Sequence, residues 1–117
     1  MHNIVDNLLF IESELKININ KLNFQNYTPK IIAISKTFPI NHILPLINHG
    51  HIHFGENKVQ EAIAKWTNIK NDFNHIKLHM VGKLQTNKVK YVVPLFDYIH
   101  SLDSIKLAEK ISAEEIK

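Results

Sequence analysis

Lys36 ends the run Ile31-Ile32-Ala33-Ile34-Ser35, and an amine so placed has chemistry open to it. The run is short, β-branched and bounded by Pro39, which reads as a buried strand rather than a helix. A lysine at the C-terminal end of such a strand can reach into a site with its amine partly desolvated. Desolvation disfavours the ammonium, so more neutral amine is available to form an imine with an aldehyde. The alternative for the same residue is a strand-ending lysine turned into water. Other polar residues collect at equivalent places farther along. These are Gly55, Glu56 and Asn57; His79 with Gly82, Gln85 and Asn87 beyond it; and His100, Ser101 and Asp103. Asn57 and Asp103 suit helix caps equally well.

Periodicity supplies the elements that must position these residues. Ile4, Leu8, Ile11 and Leu15 form one stripe of a first helix with Asn3 as N-cap, and 23–29 reads as a loop. Pro39 opens a second helix with Ile40, Ile43, Leu44 and Ile47 inward and Gly50 as its stop. Pro45 inside that helix predicts a kink or an early end. Strands are expected at 51–54, 76–81 and 96–100. Between them lie a helix with Val59, Ile63 and Trp66 on its buried side and a short helix over 86–93 ended by Pro94. A last helix is capped by Asp103 or Ser104, carries Ile105, Ala108 and Ile111 on one stripe, and runs to Lys117 without a C-cap, as if cut there.

Strands alternating with helices argue for an α/β fold of about four βα units on a parallel sheet, preceded by a helix. In (β/α) barrels the C-terminal strand ends converge on one mouth, where ligands bind. The polar residues named above would then share one rim.

Composition narrows the function classes. A chain of 117 residues suits one domain, and its 44% apolar and 21% charged content is that of a soluble globular protein. No apolar stretch approaches the ~20 residues a membrane span needs. Asp6, Glu12 and Glu14 interrupt the N-terminal segment in a way a signal peptide does not, so a cytoplasmic location is expected. The absence of cysteine excludes disulfides and thiolate zinc sites. The net charge of +3 is carried without a single arginine. Base-specific reading of nucleic acid prefers the guanidinium fork, so that class is disfavoured. His51 and His53 share a strand face as a candidate metal pair but lack a third ligand. Gly82-Lys83 lacks the upstream glycine of a Walker loop, and Trp66 at helical spacing reads as core.

Three stretches carry a resemblance: Ala33-Ile34-Ser35-Lys36-Thr37, Phe54-Gly55-Glu56-Asn57-Lys58-Val59-Gln60-Glu61, and His79-Met80-Val81-Gly82-Lys83-Leu84-Gln85-Thr86-Asn87-Lys88. In that order they resemble the pyridoxal phosphate homeostasis protein family, and His100-Ser101-Leu102-Asp103-Ser104 is similar to its fourth strand and helix cap. The resemblance covers essentially the whole chain from the first helix onward. It implies the TIM-type (β/α) barrel of the alanine racemase N-terminal domain, with pyridoxal 5′-phosphate (PLP) held as an imine by Lys36. It also implies that Asn57 and His79 orient the cofactor ring and that Ser101 adds hydrogen bonds from the rim. Members are described as PLP carriers or buffers, so no catalytic turnover is expected. Phe38, Lys58 and Leu78 depart from the family's usual lysine, tyrosine and tryptophan.

A full barrel takes about 250 residues, so 1–117 is expected to form the N-terminal half of one. The family's phosphate loops lie in the other half; Lys83, Lys88 and Lys90 offer point charges without a backbone cradle. Half a barrel leaves its first and fourth strands unpaired, which invites a complementary C-terminal fragment or self-association. The alternative function is that of a truncated remnant that does not hold PLP stably and acts, if at all, by associating with a complementary chain.

Overall fold

The computed structural model describes residues 3–22 and 29–116; the loop expected at 23–29 lies, but for Pro29, outside them. In chain order the elements are α1 (Ile4–Lys21), β1 (Ala33–Ile34), α2 (Ile40–His49), β2 (His53–Glu56), α3 (Val59–Asp72), β3 (Lys77–Met80), a 3-10 turn (Thr86–Lys88) leading into α4 (Val89–Val92), β4 (Tyr98–Ile99) and α5 (Ile105–Ile116). The four strands form one parallel sheet in the order β1-β2-β3-β4. The βα alternation read from periodicity is therefore present, as an open sheet with β1 and β4 at its edges.

The two faces of the sheet differ. Phe54, Glu56, Leu78 and Met80 are buried on the helix side, against a core that includes Ile43, Ile47, Trp66, Val89, Val92 and Leu107. Strand alternation puts Ile34, His53, Gly55, His79 and Tyr98 on the other side, where Ile34 and Tyr98 remain 49% and 45% exposed. Across that side the register aligns Ile34, Gly55, His79 and Tyr98 in one row. Gly55 keeps the row tight, because a Cβ there would sit 2.9 Å from Ile34 Cδ1.

Several ends follow local rules. Asn3 Oδ1 accepts the Asp6 amide at 2.8 Å, and Gly50 closes α2 in the left-handed region at φ 103°. Other expectations are corrected. The helix α2 does not end at Pro45 but continues to His49; Pro45 and Asn41, whose carbonyl loses its donor, are both exposed. The strand expected at 51–54 starts at His53 and includes Gly55 and Glu56. Of the α1 stripe only Leu8 is buried. Ser104, not Asp103, caps α5, its Oγ accepting from the Leu107 amide at 3.1 Å; Leu107 is the buried residue there, while Ile105 is 79% exposed. Ile34 is half exposed rather than buried because it faces away from the helix-packed core, at an edge strand.

Candidate functional site

The first candidate residue sits on a turn fixed from below. The Ser35 amide still donates to Gly55 O at 2.9 Å, extending the ladder past β1, and Phe38 N then closes a turn onto Ser35 O at 3.3 Å. Lys36 lies on this turn, exposed, and its ammonium has no hydrogen-bond or ion-pair partner among the described residues. Thr37, next to it, has φ 69°, a left-handed conformation that a β-branched residue adopts only under restraint.

The restraint comes from α3. Lys65 Nζ donates to Ser35 O at 2.7 Å and to Phe38 O at 2.6 Å, gripping both ends of the turn. Glu61 Oε1 accepts the Thr37 amide at 2.6 Å, and that bond is the main reason its carboxyl titrates below the usual carboxylate range. Lys65 also pairs with Glu56 Oε2 at 2.8 Å and Glu61 Oε1 at 3.4 Å. Glu56 is wholly buried, and its Oε2 further accepts from Ser35 Oγ at 2.5 Å and Trp66 Nε1 at 3.0 Å. Glu56 is thus a core carboxylate facing α3, not the rim residue expected from its position after Gly55.

Beyond β2 and β4 lie two buried oxygens without partners, Asn57 Oδ1 and Ser101 Oγ. Asn57 does not cap α3; Lys58 holds that position without a side-chain bond. Gly82 presses on Asn57, since a Cβ at 82 would stand 2.7 Å from Asn57 Cβ. Gly82→Ala should therefore cost about 1–3 kcal/mol by displacing Asn57 or the turn after β3. A urea titration measures this, and a loss below a few tenths of a kcal/mol would refute the close approach.

His79 is 5% exposed and lies between two other imidazoles. Its Nε2 is 2.9 Å from His53 Nδ1, its Nδ1 is 2.8 Å from His100 Nε2, and its ring stacks on Tyr98 at 4.6 Å between centroids. Burial first, then the charges that His53 and His100 can acquire, push its pKa down to about 4. The His51 ring lies edge-on to Phe54 at 5.2 Å, whereas the His53 ring meets His79, so the candidate pair of the strand face is not brought together. No group of three or more metal-binding side chains is placed to hold an ion among the described residues.

Continuing the register past the strands sets Lys36, Asn57, Val81 and His100 in one row, a step beyond His79; Val81 N to Glu56 O and His100 N to Met80 O, both 3.0 Å, carry that continuation. Ser101 follows. The four candidate residues therefore lie at one end of the sheet. A cleft of about 430 Å³ opens beside Asn57, lined also by Lys58, Glu61, Lys83, Gln85 and Lys88; Lys36, His79 and Ser101 do not line it. The larger cleft, about 680 Å³, lies instead along the open edge of β1, walled by apolar residues such as Ile4, Leu8, Ile32 and Ile34. Lys65 escaped the sequence reading. Its i, i+4 spacing from Glu61 is visible, but that spacing ordinarily marks a solvent-exposed pair.

No family model matches the sequence. A pyridoxal phosphate homeostasis protein of Haemophilus influenzae is 34% identical over 112 residues, which cover 96% of this chain and 47% of the relative. The chain is similar to about half the length of the pyridoxal phosphate homeostasis proteins it matches. Among solved structures, PipY of Synechococcus elongatus with PLP bound is similar at a TM-score of 0.69 and 42% identity, over 82% of this chain and 45% of that one. A protein from Bifidobacterium adolescentis described as unknown is similar at a TM-score of 0.85 and 30% identity, over 95% of this chain and 49% of the other.

Proposed function

We propose that this chain forms the lysine-bearing half of a PLP-binding (β/α) barrel and serves intracellular PLP homeostasis, holding the cofactor through an imine link to Lys36 without turnover of its own. The observation that carries this reading is the unpaired Lys36 ammonium, on a turn braced by Lys65 and Glu61, in the same row as Asn57. PLP supplies an aldehyde that condenses with a primary amine. The residues present fit such a polar, planar group: Asn57 Oδ1 and Ser101 Oγ are buried and lack partners, and buried polar atoms ordinarily have them. Asn57, Ser101 and His79 would bind and orient the ring. Lys83 and Lys88 line the neighbouring cleft and attract a phosphate as point charges. The family name and the PLP-bound PipY structure support the same reading. No described helix is long and apolar enough to cross a membrane, and the reading places the protein in the cytoplasm.

Borohydride reduction of the protein mixed with PLP, followed by peptide mapping, tests the assignment. Label is expected on Lys36, with at least a tenfold loss in Lys36→Ala. Equal labelling of that variant at other lysines would overturn it.

A second reading has its own support. Ile34 and Tyr98 are half exposed on the two edge strands, beside a long apolar cleft at β1. These edges suit a complementary C-terminal segment or a second copy of the chain. A protein that stays colourless with PLP yet is oligomeric by light scattering would favour association as its role.

A further inference from the structure

The three imidazoles lie on a diagonal across the side of the sheet opposite Phe54 and Leu78. His53 shares a row with Lys77, His79 with Gly55 and Tyr98, and His100 with Val81 and Asn57, so each step moves one strand across and two residues toward the rim. Two residues of strand are roughly 7 Å, and the ring contacts of 2.9 and 2.8 Å bridge each step. His100 and His79 are also stacked, with centroids 5.0 Å apart at 24°. The outer nitrogens, His53 Nε2 and His100 Nδ1, have no partner among the described residues, so both ends of the line are open.

We propose that His53, His79 and His100 form a proton relay that binds one proton at a time and passes it between the body of the sheet and the Asn57 row. The limit of one follows from bonding. A neutral imidazole has one N–H donor and one bare acceptor nitrogen. In the neutral line, His53 Nδ1–H donates to His79 Nε2, and His79 Nδ1–H donates to His100 Nε2. One extra proton on any ring leaves both bonds possible. A second extra proton sets N–H against N–H in one link, whichever rings carry the charges.

Transport balances in the same terms. A proton binds His53 Nε2, the His53 Nδ1 proton moves to His79 Nε2, the His79 Nδ1 proton moves to His100 Nε2, and the His100 Nδ1 proton leaves. One proton enters and one departs, and the line ends with its direction reversed. The groups bearing on it electrostatically are Asp97, which favours the charged rings, and Lys30, Lys77 and His51, which oppose them. Asp97 is already engaged by Lys70 Nζ and the Leu78 amide, both at 2.8 Å, so it does not break the line. The line runs from β2 to β4, away from β1, and it does not depend on the function proposed above.

Histidine-resolved NMR titration of the full chain, without cofactor, tests the relay. Across about pH 7.5 to 5.5, a unit either side of the ordinary imidazole value, the three rings should take up one proton in total. His79→Ala should raise that count to two, because it separates the ends. His53→Ala or His100→Ala, at more exposed positions that should fold normally, should leave it at one. Ring nitrogen shifts should show both tautomers averaging in all three rings. A count of two or three in the unaltered protein, a fall in count on removing either end ring, or fixed tautomers would overturn the relay. None of these readouts involves PLP, so the cofactor assignment can fail without the relay failing, and the reverse.

Discussion

Lys65→Met is expected to lower folding stability by about 3–5 kcal/mol, the usual consequence of removing one partner from a buried ion pair. The substitution keeps much of the side-chain volume and removes the charge. It leaves the wholly buried Glu56 carboxylate with only Ser35 Oγ and Trp66 Nε1, and with Oε1 already unpartnered. It also frees the carbonyls of Ser35 and Phe38. Against a total stability of about 5–15 kcal/mol for a domain, such a loss leaves a substantial unfolded fraction. Adding Glu56→Gln should restore a large part, since a neutral amide oxygen still accepts from Ser35 and Trp66. A urea midpoint for Lys65→Met within about 1 kcal/mol of the parent would show that the network is dispensable. The Lys36 turn offers a second readout: the Thr37 amide should exchange faster in the variant.

Acid should destabilise the fold well above the range in which carboxylates titrate. His79 titrates at about 4 in the folded chain and near 6.5 when unfolded. Between those values the unfolded chain binds a proton that the folded chain does not. Stability therefore rises with pH across this window, and falls as pH drops from 6.5 toward 4, by about 3 kcal/mol in all. His51 and His53, also held down chiefly by burial, contribute in the same direction. Glu61 and Asp97 act lower: their carboxyls are stabilised as anions, and that contribution is lost only as pH falls below their ordinary values of 4.5 and 3.8. For Asp97, burial alone would raise the pKa, but the bonds from Lys70 and Leu78 outweigh it. Stability measured by urea at pH 7 and pH 5 should show the loss, and His79→Gln should remove its largest share. A flat profile over that interval would contradict the buried, uncharged state of His79.

The division between what the chain alone reveals and what it conceals has a physical basis. Helices and strands were legible because each pattern is local: Asn3, Gly50 and Ser104 act on residues within a few positions of themselves. The candidate site was legible as a group because every polar residue after a strand must face the same end of a parallel sheet. The side-chain networks were not. Glu56 reads as a rim residue until β2, extending through it, sets it on the same face as Phe54, toward α3. Lys65 beside Trp66 suggests a solvated lysine until the Ser35 carbonyl, thirty residues earlier, is brought to it. His53, His79 and His100 are spaced by 26 and 21 positions, and only strand pairing makes them neighbours.

The strand order 1-2-3-4 gives the molecule the mechanics of a stack of leaves bound at the middle. Four aligned residue pairs join β2 to β3, but only two join each outer strand to its neighbour. The outer strands have fewer pairs to hold them, so they can lift while the central pair stays shut. Lys36 rides on one of those outer leaves, and the clasp of Lys65 and Glu61 is what ties that leaf's end to α3 and steadies the amine.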